Sequence, residues 1–331
     1  MKGKKLNVGI QILRVLFSFH ILVLHCIDKK KYKGKIIKTL ISDVSIDLGV
    51  FFIMSFYYSY NSFTSKNIVK IKQRFYRLLI PYIIWPLLFF TIHNSSCYIH
   101  RKNNYIKSNL LYYQLLIGNG IHFVFWFQFN LIILSIFFLI IIFASKKNTF
   151  NILAIIGACS FIFLSSNYYR KYNKYKTTLI FSIRPIPSSY IYALFGLILF
   201  NLNDFVKFKK YKIKNSFLCF IFFCLYIYSE NFLELKAYFL AIKILLCISV
   251  FIVFLNLPLH EINNNLIKIL TSYSAGIYYL HIKMQKILEL LFKSMKSKTI
   301  TTCIINYLLC YLSCLIGSKL FKKCNLKYLF E

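Results

Sequence analysis

The chain is written in long apolar runs, and that alone removes most folds. A helical run of about twenty residues with few charges matches the thickness of a bilayer core. Runs of this kind lie near 8–27, 44–62, 78–95, 121–144, 149–166, 186–202, 215–231, 237–256, 270–292 and 299–320. Their apolar residues are consecutive, not one-sided. Such helices are apolar all round, which suits lipid and not the surface of a soluble domain. Composition agrees, with 58% of the 331 residues hydrophobic and a mean hydropathy of +0.61. Membrane barrel strands would instead be about ten residues long and alternating. The expected fold is all-α, a polytopic transmembrane bundle of about ten spans forming one integral-membrane domain over 1–331.

A formal net charge of +33 suggests a nucleic-acid binder at first sight. The lysines, however, fall in short segments between apolar runs, and no nucleic-acid module accompanies them. Attraction to anionic lipid headgroups is the better physical reading, with no nucleic-acid partner. The basic stretch "MKGKK" before the first run resembles a secretory leader. No small-residue cleavage site follows and Arg14 interrupts the apolar core, so a retained first span is expected. The ten cysteines are scattered without CxxC pairs. Cys310 and Cys314, four apart in the last run, read as packing residues, so no metal and no bound cofactor are expected.

Phosphate-binding loops, dinucleotide fingerprints, serine-hydrolase elbows and HExxH are all missing from the sequence. Nine acidic residues leave few candidates for two-carboxylate chemistry. Histidine and arginine must carry the reaction, and the first span, "ILRVLFSFHILVLHC", holds three of them. Arg14 and His25 are eleven residues apart, which brings them within about 20° of one helix face and about 16 Å apart along the axis. Gln11 and Ser18 share that stripe, whereas His20 points well away and reads as structural. Ionisable groups inside a span are expensive and mark function. The bland reading is that Arg14 snorkels to one interface while His25 sits at the other.

Farther on, "RFYR" before the third span sets Arg74 and Arg77 at i and i+3, able to address one anion from one side. Arginine forks suit the phosphates of a coenzyme. Lipid headgroups are the equally weighted alternative. Asp47 can pair with Arg14, orient His25, or simply sit at the interface. His122, Trp126 and Asn130 lie four apart near the start of the fourth run, with Trp126 expected at the interface. The late segment "YSAGIYYLH" combines small residues with His281, which by itself reads as a packing histidine.

Together these pieces resemble the acyltransferase type 3 family, ten-helix membrane enzymes that acylate cell-surface carbohydrates. "LNVGIQILRVLFSFHILVLHC" resembles its first helix, "FFIMSFYYSY" its FF-x-x-S-G stretch and "RFYR" its R-x-x-R motif. "HFVFWF" is similar to the start of its fourth helix, and "SAGIYYLH" to a late segment ending in histidine. Phe56 stands where the family has glycine, and Asp47 lies two residues from the usual acid. No hydrolase-like extension is expected, only the shorter, stand-alone kind.

The resemblance implies that His25 and Arg14 are catalytic and that Arg74 and Arg77 bind an acyl-CoA donor, acetyl-CoA above all. Ser55, Trp126 and His281 would support substrate or structure. It implies a carbohydrate acceptor, surrounding membrane lipids, association with glycan-assembly proteins and a bacterial cytoplasmic membrane. Acceptor choice would lie in segments such as 96–120 and 167–185. The rival expectations are a flippase for lipid-linked saccharides and a non-catalytic assembly subunit.

Overall fold

The computed structural model describes residues 7–26, 44–99, 101, 103, 105–118, 125–144, 149–165, 186–202, 217–226, 236–257, 269, 271–291, 300–320 and 329. No strand occurs among them. The helices are α1 (Val8–Cys26), α2 (Val44–Thr64), α3 (Ile68–Ile99), α4 (Ser108–Ile117), α5 (Phe125–Ala144), α6 (Thr149–Ser165), α7 (Ile186–Leu202), α8 (Phe217–Tyr226), α9 (Lys236–Leu255), α10 (Ser274–Leu291) and α11 (Ile300–Leu320). Among the described residues, four of them, α1, α3, α5 and α11, are long and apolar enough to cross a membrane.

Two features depart from the expected layout. The third span was placed at 78–95, but α3 begins ten residues earlier and runs for 32 residues. Its start is set by Asn67, whose Oδ1 accepts the Lys70 backbone N–H at 3.1 Å as a helix cap. The basic, polar first turns of α3 are therefore helical, carrying Arg74 and Arg77 on the same rod as the apolar part. The segment 96–120, expected as a loop, contains α4. Ten residues are too short for a hydropathic span, so only packing reveals this helix. Tyr82 Oη donates to the carbonyls of Gln114 and Leu115 at the end of α4, at 2.7 and 3.0 Å. Gly118, at φ 73°, then ends the helix in the left-handed conformation that glycine tolerates. The segment 167–185 lies outside the described residues.

The chain divides into two compact units, Met1–Met54 with Asn201–Glu331, and Ser55–Phe200. In the first, α1 packs against α9, α10 and α11, and α10 packs against α11. Asn7 ties the start of α1 down twice. Its Oδ1 accepts the Ile10 N–H at 3.1 Å and its Nδ2 donates to the Leu255 carbonyl at 2.8 Å. Gly9 allows the approach to α9, since a β-carbon there would fall on the Phe254 carbonyl oxygen. In the second unit, α3, α4 and α5 pack together and α5 packs on α6. Pro81 and Pro86 interrupt the hydrogen-bond ladder of α3. Gln128 of α5 donates its amide to the Leu78 carbonyl in the turn that Pro81 breaks, replacing polar partners where lipid offers none.

Candidate functional site

The polar stripe of α1 faces α10 and α11. Arg14 Nη1 donates to Gln11 Oε1 at 3.3 Å, and Nη2 donates to Ser274 Oγ at 2.8 Å. Ser274 opens α10 and donates in turn to the Thr271 carbonyl. One level further, Ser18 is buried, donates to the Val15 carbonyl and lies 3.4 Å from Tyr307 Oη on α11. At the end of α1 the His25 ring lies 5.2 Å from that of His281, inclined by 30°. His281 is 1% exposed, and its Nδ1 is 3.3 Å from the Ile277 carbonyl. A carbonyl only accepts, so in this contact Nδ1 carries the proton. His281, read from sequence as a packing residue, is therefore the immediate neighbour of His25.

The acid took a partner that helical geometry had set aside. Asp47 Oδ2 is 2.6 Å from His20 Nδ1, with the Asp47 side chain 2% and the His20 side chain 34% exposed. The pair joins α1 to the first turn of α2, where a carboxylate also meets the favourable end of the helix dipole. Beside it, Phe17 and Phe51 meet edge to face at 6.1 Å. His20→Ala removes this partner from a buried carboxylate. Breaking a buried pair costs about 3–5 kcal/mol, reduced here to about 1–3 kcal/mol because a third of the imidazole is open. Asp47→Asn should cost less, since a neutral amide still bonds to the ring. Thermal unfolding of the two variants in detergent checks that order.

In the second unit, Arg74 and Arg77 part company. Arg77 is exposed, whereas Arg74 turns inward across α2 and α5. Arg74 Nε and Nη2 donate to Ser135 Oγ at 3.2 and 3.0 Å, Nη2 to Ser55 Oγ at 3.1 Å, and Nη1 to the Ser55 carbonyl at 3.3 Å. The guanidinium also lies over the rings of Phe56 and Phe63, at 5.1 and 5.6 Å. The expected joint fork is thus replaced by one half-buried arginine held by protein partners and one exposed arginine. Ser55 has a definite task as an acceptor for Arg74. Phe56 is fully buried against Phe63 and Phe138, so the ring in place of glycine fills the junction and receives the cation.

Trp126 is half-buried at the start of α5, its ring 6.3 Å from Phe127. His122 lies outside the described residues. Among the described residues, no three His, Cys, Asp or Glu side chains gather as a metal site.

Among the described residues all the regular structure is helical, four helices are long and apolar enough to cross a membrane, and α1 carries arginine and histidine within its apolar run, the features of an integral membrane protein. The chain belongs to the acyltransferase type 3 family, whose model, described as an acyltransferase domain, matches residues 7–322 and so runs through both units. It is a membrane acyltransferase. No curated protein and no solved structure matches it.

Proposed function

We propose that this acyltransferase moves an acetyl group from acetyl-CoA to a hydroxyl of a surface or exported polysaccharide, in the cytoplasmic membrane of a bacterium. The observation that carries the reading is the α1 stripe, with Arg14 and His25 both met by α10, at Ser274 and His281. His25, neutral, takes the hydroxyl proton as the sugar oxygen attacks the thioester carbonyl. A C–O bond forms, the C–S bond breaks and the coenzyme leaves as its thiolate. Alternatively His25 carries the acyl group between donor and acceptor.

Arg14 lies about 16 Å from His25 along the helix, too far to touch the same tetrahedral centre. Its role is to position the donor's anionic part. Arg77, outward on α3, contacts donor phosphates, and Arg74 fixes the junction that presents it. Purified protein with carbon-14 acetyl-CoA and a saccharide acceptor tests the assignment. Label in the saccharide supports it, while saccharide movement without label identifies a flippase.

A further inference from the structure

Acyl transfer at His25 leaves a second polar stretch of α10 without a task. α1 and α10 run in the same direction, because Arg14 meets Ser274 and, farther along both, His25 meets His281. α1 is described as far as Cys26, one residue past His25, and α10 as far as Leu291. Ten further residues extend it by about 15 Å. On this extension Gln285 and Glu289 follow His281 at four-residue steps, and so share its face.

A chain of bonds locks their orientation. Asn306 of α11, fully buried, donates to the His281 carbonyl at 3.0 Å and to Gln285 Oε1 at 3.2 Å. Asn306 Oδ1 accepts from Cys310 Sγ at 3.3 Å, which fixes its amide. Gln285, 6% exposed, therefore has only its nitrogen left to offer, and it donates to Glu289 Oε1 at 3.0 Å. Glu289 is half-buried at the end of the line. Among the described residues its Oε2 has no hydrogen bond, and no Lys, Arg or His lies within ion-pair distance. With nine acids against 42 basic residues, a carboxylate held by amides instead of a cation is a built acceptor.

We infer that Glu289, oriented by Gln285 and Asn306, binds hydroxyls of a neutral saccharide acceptor at the end of α10 beyond His25. A carboxylate accepts strongly from O–H donors and repels carboxylates and phosphates. The subsite thus favours uncharged sugars and turns away both uronic acids and the polyanionic donor. This rests on the saccharide reading above, but binding is measurable without catalysis.

Saturation-transfer NMR on the full chain in detergent micelles, with methyl glucoside, methyl galactoside, methyl mannoside and galacturonate as probes, tests it. Wild type should show signal from at least one neutral glycoside and none from galacturonate. Glu289→Ala should weaken that signal about ten-fold or more, the worth of one charge-assisted hydrogen bond. Glu289→Gln, which keeps an acceptor oxygen and loses the charge, should retain part of it and admit galacturonate. If the alanine variant unfolds, the glutamine variant decides. Equal neutral signal with and without Glu289, no neutral signal in wild type, or a wild-type preference for galacturonate overturns the subsite. A failed label-transfer assay with intact glycoside binding instead overturns the acyl-transfer reading alone.

Discussion

His25→Ala should abolish transfer of label from acetyl-CoA to saccharide while leaving the amount of protein in the membrane unchanged. The two halves follow from different terms. The His25 ring is half-buried and meets the His281 ring at a tilt, a contact worth about 0.5–1.5 kcal/mol. A helix packed on three neighbours tolerates that loss. For the reaction, a positioned general base contributes about 10²–10⁴-fold, and removal of a covalent acyl carrier stops turnover. A thousand-fold fall corresponds to about 4 kcal/mol of barrier, well above the structural cost. Initial rates, paired with quantification of the protein in membranes, read both terms. A slow but saturable residual rate indicates a base, and total loss indicates a carrier. An unaltered rate removes His25 from the chemistry.

How far the sequence anticipated this site depends on whether helical period alone decides the question. It does for Arg14 and His25, because eleven residues close three turns, and α10 receives both. Period cannot say which neighbour a residue on another face will meet. Asp47 had three basic candidates on the first span. The choice of His20 depends on how α1 and α2 pack, across the segment 27–43 that period does not describe. Likewise, i and i+3 spacing sets Arg74 and Arg77 about 60° apart on α3, but not which edge of that arc faces protein. The serines at 55 and 135 come from helices distant in sequence, and only assembly shows that they meet one guanidinium. The four helices long and apolar enough to cross a bilayer were legible because a crossing demands length and hydropathy. The polar first turns of α3 and the short α4 meet neither demand.

Arg74→Ala and Arg77→Ala should fail in different ways, although both belong to one RxxR motif. Arg74 gives hydrogen bonds through all three guanidinium nitrogens to Ser55 and Ser135 and rests on Phe56 and Phe63. Bonds to a charged group are worth about 1.5–3 kcal/mol each, though neighbours in one network are not additive. Recovered hydration of the arginine in the unfolded chain offsets part of the sum. A net loss of about 2–4 kcal/mol is expected for Arg74→Ala, seen as a lower melting temperature and less protein in membranes. Arg74→Lys should not restore it, because a single ammonium cannot span three acceptors held by two helices. Phe56→Gly removes the ring beneath the cation and should lower stability in the same sense.

Arg77 is outward, so Arg77→Ala should keep wild-type stability and raise the KM for acetyl-CoA about ten-fold with little change in kcat, the signature of lost donor binding. The reverse result, a stable Arg74→Ala enzyme with only a raised KM, would mean that the guanidinium leaves its serines to grip the donor. The buried contacts argue against that exchange: donor phosphates would have to repay the bonds to Ser55 and Ser135 and the two aromatic faces before contributing any net affinity.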